Sequence, residues 1–210
     1  MTYRYIAIEG NIGAGKSTLA NLLAKHYDAQ LILEEFADNN FLPKFYQDAE
    51  RYAFPLELSF LADRYKQLKH RLPHTDIFQQ KIITDYLFTK SKLFARINLQ
   101  GQEYELFQQL FDIIDPHLPP PDLLIYLHAP VARLQQNIKK RGRLYEQNIS
   151  GEYLERVQDV YQQYLKQELQ KTLIIDTSTV DFIDDPQHFN HIVEFLEKDY
   201  DFKTNYLSIA

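Results

Sequence analysis

Cysteine and tryptophan are both absent from these 210 residues. The first absence excludes disulfides, thiolate metal sites and a thiol nucleophile. An excess of positive charge is missing too: 23 Lys and Arg stand against 29 Asp and Glu, for a formal net charge of -6. That balance argues against a chain that coats nucleic acid, so no nucleic-acid partner is expected and useful positive charge should be local. No apolar run is long enough to cross a bilayer, so no membrane partner is expected either. The first residues lead straight into an apolar run, with no charged stretch ahead of it, and a cytoplasmic location is the resulting expectation. Internal repeats and low-complexity linkers are also absent.

What the chain does have is aromatic side chains, 15 Tyr and 14 Phe, mostly for a core and with rings to spare for a stacking pocket. Its length suits one α/β domain spanning residues 1–210, with a sizeable core. The most informative stretch is Gly10-Asn11-Ile12-Gly13-Ala14-Gly15-Lys16-Ser17-Thr18, which satisfies G-x-x-x-x-G-K-[ST]. It lies between a strand-like run, Tyr3 to Glu9, and a helix-like run, Ser17 to Tyr27. Glycines let the backbone curl until its N–H groups point at phosphate oxygens, and the following helix adds the positive end of its dipole. In such a loop Lys16 reaches the β- and γ-phosphates of a nucleotide and the Ser17 hydroxyl is a ligand for Mg²⁺. The dinucleotide fingerprint G-x-G-x-x-G is not met, because Gly10, Gly13 and Gly15 are spaced G-x-x-G-x-G.

Further along, Leu31 to Glu34 reads as a short buried strand followed by Phe36 and a loop to Asn40. Phe41 to Ala53 reads as a loop and short helix, and Pro55 suits the first turn of a helix over Leu56 to Arg71. Ile82 to Asp85 is a second short strand, and Tyr86 to Ile97 and Glu103 to His117 carry helical spacing. Pro119-Pro120-Pro121 is a rigid connector, and Leu123 to His128 is an apolar strand of the buried parallel kind. Pro130 opens a helix that runs into Lys139-Lys140-Arg141-Gly142-Arg143. A helix over Glu152 to Gln170, a strand over Leu173 to Asp176 and a helix over Pro186 to Asp199 complete the pattern, with a loosely held tail after Lys203. Strands alternating with helices predict an α/β fold, a five-stranded parallel sheet covered by helices on both faces.

In that arrangement Glu34 and Asp85 share a sheet edge with the phosphate loop. Glu34 is the candidate base, able to accept a hydroxyl proton; the other reading is a solvated or capping glutamate. Asp85 is the candidate partner of Mg²⁺, directly or through water; the other reading is a cap on the following helix. The cations of Lys139 to Arg143 are either a lid that closes over ATP or a solvated face.

Ile8 to Thr18 resembles the opening of the deoxynucleoside kinase family, which phosphorylates the 5′-hydroxyl of deoxynucleosides in salvage. The likeness extends over nearly the whole chain. Glu34 occupies the position of that family's base, Tyr46 to Glu57 is similar to its substrate segment, and Arg141-Gly142-Arg143-Leu144-Tyr145-Glu146 resembles its lid motif R-G-R-x-x-E. The resemblance implies a P-loop kinase fold, an ATP- and Mg²⁺-dependent kinase with a short basic lid at about residues 137–148, and a homodimer. It implies that Tyr46 and Glu146 hold the sugar 3′-hydroxyl, that Arg141 and Arg143 grip phosphates, and that Asp181 and Phe182 lie by the adenine of ATP. Many members carry an arginine after the acidic residue at the third strand; this chain has Asp85-Tyr86, and Lys90 either replaces that charge or is a surface lysine.

The family's base-reading glutamine is replaced by Glu57. Arg64 follows seven residues later, on the same helical face, and Phe94 is the candidate stacking ring. A carboxylate accepting from N1–H and the N2 amino group, with a guanidinium donating to O6 and N7, suits guanine. Adenine fits next and thymine worse, and a plain Glu57 to Arg64 ion pair is the structural alternative. These features resemble the bacterial deoxyguanosine kinase branch more than the pyrimidine-using members. A deoxyadenosine/deoxycytidine or broad-specificity kinase is the alternative. A nucleoside monophosphate kinase needs a second cationic cluster near Tyr46 to Arg64, and only scattered charges occur there. A guanine-specific switch needs an N-K-x-D segment, and none is present.

Overall fold

The computed structural model describes residues 3–35, 39–72, 81–167, 170–182, 185–198 and 204–208. Positions 36–38 of the expected loop, 168 and 169 of the helix expected over Glu152 to Gln170, and 199 of the expected last helix lie outside them. The strands are β1 Tyr5–Gly10, β2 Gln30–Ile32, β3 Ile82–Thr84, β4 Leu123–His128, β5 Thr172–Asp176 and β6 Thr204–Ser208. The helices are α1 Lys16–Tyr27, α2 Leu42–Phe45, α3 Ala49–Arg71, α4 Lys90–Asn98, α5 Gly101–Ile114, α6 Val131–Arg141, α7 Gly151–Gln167 and α8 Pro186–Glu197. Short 3₁₀ turns occur at Asp115–His117 and Leu144–Glu146.

The sheet runs β2-β3-β1-β4-β5-β6 and every pair is parallel. Parallel strands buried on both faces favour continuous apolar runs, which β1 and β4 supply. Leu19, Leu23, Leu134, Ile192 and Leu196 pack under one face. Leu61, Phe107, Phe111, Val157 and Tyr161 pack under the other. All carboxyl ends therefore emerge along one edge, which carries the loops after Gly10, Ile32, Thr84, His128 and Asp176.

Three expectations are corrected. The sheet has six strands rather than five, because the tail expected to be loose pairs with β5 from Thr172↔Thr204 onward. An edge strand needs only one partner, and Thr-Asn-Tyr-Leu-Ser has no apolar run to announce it. Pro55 lies inside α3 rather than at its start, because Asp48 caps the helix earlier by accepting from Arg51 N–H at 3.2 Å. The helix crosses the proline with one intrahelical hydrogen bond fewer. Tyr86 to Thr89 precede α4 rather than belonging to it, since Leu87 N–H donates to Glu9 Oε1 at 2.7 Å and Tyr86 O accepts from the Thr84 hydroxyl at 2.7 Å. Among the described residues no helix is long and apolar enough to cross a membrane.

Candidate active site

A cleft of about 450 Å³ opens along the carboxyl edge of the sheet and joins the phosphate loop, Glu34, α3, α4 and the segment after α6. Ile12 to Thr18 line it, whereas Gly10 and Asn11 sit behind the loop. Asn11 donates its amide to Leu154 O at 2.8 Å and accepts from Ile12 N–H, and Asn137 Nδ2 donates to Gly13 O at 2.8 Å. The loop is thus pinned from outside by the two helices that flank the basic segment. Gly13 has φ +82, and a Cβ there would meet Leu134 O at 2.8 Å and Ile138 Cγ1 at 3.0 Å. Neither the left-handed backbone nor the backbone oxygen can yield cheaply. Gly13→Ala is therefore expected to raise the KM for ATP at least about tenfold and to cost roughly 1–3 kcal/mol of stability. Steady-state kinetics and thermal melts read both; unchanged values would remove the packing argument.

Lys16 Nζ donates to Gly10 O and Asn11 O, each at 2.9 Å. Burial, and next the positive charge of Lys90, bring its ammonium down to about 8. The Ser17 hydroxyl donates to Asp85 Oδ2 at 2.5 Å, and Asp85 Oδ1 accepts the Glu34 backbone N–H at 2.7 Å. The carboxylate after β3 thereby ties the phosphate loop to the segment after β2.

Glu34 is the hub of the part of the cleft that faces α3 and α4. Its Oε1 accepts from Arg64 Nε at 2.8 Å and Nη2 at 2.6 Å, and its Oε2 accepts from Lys90 Nζ at 2.5 Å. Burial alone would raise this carboxyl, but Lys90 and then Arg64 outweigh burial and hold it well below the ordinary carboxylate range. Arg64 Nη1 donates to Ser91 Oγ at 2.8 Å, and the guanidinium lies 4.7 Å from the Phe60 ring centroid.

Glu57, on the same face of α3, lines the cleft two turns before Arg64. Its Oε1 accepts from Asn98 Nδ2 at 2.7 Å, while Oε2 is buried with no hydrogen-bond partner among the described residues. Burial pushes this carboxyl up to about 7, against the Asn98 hydrogen bond and the charges of Arg64 and Lys90. Tyr153 completes the wall by donating to Asn98 Oδ1 at 3.2 Å, and Phe94 lines the cleft nearby.

After α6, Arg141 Nη2 and Arg143 Nη1 both bond the Glu146 carboxylate, the second at 3.2 Å. Tyr46 lines the cleft with its ring stacked 6.1 Å from Tyr145. Val180, Asp181 and Phe182 line it beside the phosphate loop, and a Cβ on Gly15 would lie 3.8 Å from the Phe182 ring.

The sequence-predicted residues Glu34, Tyr46, Glu57, Arg64, Asp85, Phe94, Glu146, Asp181 and Phe182 therefore share one cleft with the loop. Two alternatives raised by the sequence are ruled out. The Arg64 guanidinium bonds Glu34 and Ser91 rather than pairing with Glu57. Lys90 is a buried partner of Glu34 and not a surface lysine. Tyr86 is fully buried, with its hydroxyl donating to Gln67 Oε1, and Gln67 Nε2 donates to Leu33 O at 2.9 Å, so it braces the backbone that carries Glu34. Glu9 escaped sequence reasoning, although a carboxylate in a strand otherwise apolar was a signal. It accepts from Leu87 N–H, Gly10 N–H and the Tyr161 hydroxyl. Asn98 and Ser91 carried no signal, being ordinary polar residues on a helix.

Comparison with known proteins agrees with this geometry. Residues 6–199 match the family model for deoxynucleoside kinases. A deoxyguanosine kinase of Bacillus subtilis is 35% identical over 203 residues, covering 94% of this chain and 98% of the relative. A deoxyadenosine/deoxycytidine kinase of the same species is 32% identical over 76% of each chain. The solved structure of deoxyadenosine kinase from M. mycoides with bound dATP superimposes with a TM-score of 0.79 at 25% identity, over 92% of this chain and 99% of that one. With the phosphate loop, the strand-end carboxylates and the basic turn all in one cleft, the chain belongs to the deoxynucleoside kinase family.

Proposed function

We propose that this enzyme transfers the γ-phosphoryl group of ATP to the 5′-hydroxyl of purine deoxynucleosides, deoxyguanosine first and deoxyadenosine next, in nucleotide salvage in the cytoplasm. What carries the purine reading is Glu57, a cleft-lining carboxylate with one oxygen satisfied by Asn98 and the other without a partner. A buried acceptor left over in this way suits a ligand that brings N–H donors, as guanine does with N1–H and its N2 amino group. Arg64 retains N–H groups beyond the three that bond Glu34 and Ser91, and these would reach O6 or N7. Phe94 would stack on the base. Because Glu57 titrates near 7, its neutral form would read adenine by donating and accepting together, which favours deoxyadenosine as the second substrate.

In the mechanism, Glu34 takes the proton of the 5′-hydroxyl as that oxygen attacks. Tyr46 and Glu146 would orient the sugar through its 3′-hydroxyl. Lys16, Arg141 and Arg143 would neutralise the transferring phosphoryl group, the arginines leaving Glu146 to do so. Asp181 and Phe182 would flank the donor base. Ser17 and Asp85 present hard oxygen donors, and the described residues contain no group of three or more His, Asp or Glu that could hold a metal. That sparse set fits Mg²⁺, which keeps its waters and takes few protein carboxylates. Ser17 and Asp85 would hold it, and bound there it lowers the negative charge of the donor phosphates.

The chain would act as one catalytic domain with residues 137–148 as its lid, and as a homodimer. Leu106 and Ile113 of α5 support the dimer: they stand seven residues apart and are 47% and 66% exposed. Coupled ADP release with each of the four deoxynucleosides tests the assignment. We expect the highest kcat/KM with deoxyguanosine; a thymidine preference would overturn the reading of the base site.

A further inference from the structure

The reaction needs positive charge beside the transferring phosphoryl group, and the residue after Asp85 supplies none: it is Tyr86, a neutral phenol whose hydroxyl donates to Gln67. A continuous chain of contacts leads elsewhere. The Ser17 hydroxyl donates to Asp85 at 2.5 Å, Asp85 accepts the Glu34 N–H at 2.7 Å, and the Glu34 carboxylate meets Lys90 Nζ at 2.5 Å. Lys90 is 8% exposed, opens α4, and holds its ammonium 5.6 Å from the Phe94 ring centroid. It therefore stands between the phosphate loop and the base site. In keeping with that place, its charge is the one felt most strongly by Lys16 and by Glu34.

The two cations on Glu34 are not equivalent. Arg64 is fixed by three hydrogen bonds, two to Glu34 and one to Ser91, and packs on Phe60. The two N–H groups on Glu34 hold the carboxylate in place and fix the plane of the guanidinium. Lys90 uses one of three N–H donors, on Glu34; the other two have no acceptor among the described residues. An ammonium on a four-carbon stem can swing by a few ångströms without breaking any other hydrogen bond of its own.

We propose that Lys90 is a catalytic cation of the phosphoryl transfer, donating from its uncommitted N–H groups to the transferring phosphoryl oxygens while Glu34 receives the nucleoside proton. The inference rests on the assignment of Glu34 as the base. In the step, the bond from the nucleoside 5′-oxygen to the γ-phosphorus forms. The bond from that phosphorus to the β–γ bridging oxygen breaks, its electron pair leaves with ADP, and the hydroxyl proton passes to the Glu34 carboxylate. Lys90 remains an ammonium throughout and offsets charge on the phosphoryl oxygens.

The test uses full-length Lys90→Met and Lys90→Ala, assayed with whichever deoxynucleoside the wild type turns over fastest. A wild type that favours a pyrimidine would thus overturn the purine reading and leave this comparison intact. We expect Lys90→Met to lower kcat about 100-fold, the effect of losing one positioned donor at a transition state, with both KM values within about threefold. Ethylammonium should restore at least about tenfold of the Lys90→Ala loss, and tetramethylammonium, which has no N–H, should not. If Lys90→Met fails to fold, Lys90→Gln decides, since its amide still donates to Glu34 without a charge, and the same loss of kcat is expected. A kcat within about threefold of wild type, a loss confined to KM, or equal rescue by the two amines would overturn the proposal.

Discussion

Glu34→Gln is expected to lower kcat by about three orders of magnitude or more while ATP still binds, the upper range for removing a positioned general base. The amide has the shape of the carboxylate and no capacity to take the 5′-hydroxyl proton. It also cannot serve its neighbours. Arg64 and Lys90 are 4% and 8% exposed, and both direct donors at Glu34. One amide oxygen can accept from one of them, and the amide nitrogen presents hydrogens to the other. Two buried cations without an anion between them are costly, on the order of 3–5 kcal/mol for a broken buried pair. The variant should therefore melt at a lower temperature as well as turn over slowly. Nucleotide titration separates the effects: the phosphate loop is held by Asn11, Asn137 and Gly13 packing, none of which touches Glu34. Turnover within about tenfold of wild type would remove Glu34 from the role of base.

The two halves of this cleft were not equally legible in the sequence. The phosphate-loop half was, because such a loop is a local motif: its glycines, lysine and hydroxyl follow one another, and the flanking strand and helix identify themselves by pattern. Glu34 and Asp85 could be brought to it because parallel strands must end on one edge, and both residues follow apolar runs. The half around Glu34, Glu57 and Arg64 depends on pairings between distant segments. Helical spacing places Glu57 and Arg64 on one face of α3, but whether the guanidinium turns to Glu57 or to Glu34 depends on how α3 packs against β2 and α4. That choice is made by tertiary contact, with Ser91 accepting from Nη1 while Nε and Nη2 donate to Glu34. The start of α4 was missed for a similar reason. Helical spacing from Tyr86 onward is real, yet Glu9, about eighty positions earlier, captures the Leu87 amide and holds the first four residues out of the helix. The strand β6 was invisible because a single polar-flanked edge strand has no periodicity to read.

The second large effect is expected at Glu57→Gln. We expect kcat/KM for deoxyguanosine to fall about 100-fold, the cost of two charge-assisted hydrogen bonds replaced by one neutral bond and one donor facing a donor. Deoxyadenosine should be used as well as before or better, since an amide both accepts from N6 and donates to a ring nitrogen. The same logic gives a pH dependence in the wild type. Burial raises the Glu57 carboxyl to about 7; Asn98, Arg64 and Lys90 oppose the rise and Glu34 adds to it, while Tyr153 closes the site from α7. Below that pH the neutral acid behaves like the amide; above it the carboxylate only accepts. The ratio of deoxyguanosine to deoxyadenosine kcat/KM should therefore rise as pH passes from 6 to 8, and the Gln variant should hold a constant ratio. Stability runs the opposite way. An acid whose folded value is raised from 4.5 to about 7 stabilises the fold most below the lower value, and that contribution is lost as pH rises through 7. Glu57→Gln should accordingly gain stability relative to wild type at pH 8, by up to about 3 kcal/mol if no new buried amide is left unpaired. Paired melts and substrate competition at pH 6 and 8 measure both effects. A selectivity ratio that stays flat in the wild type would mean that Glu57 does not face the base.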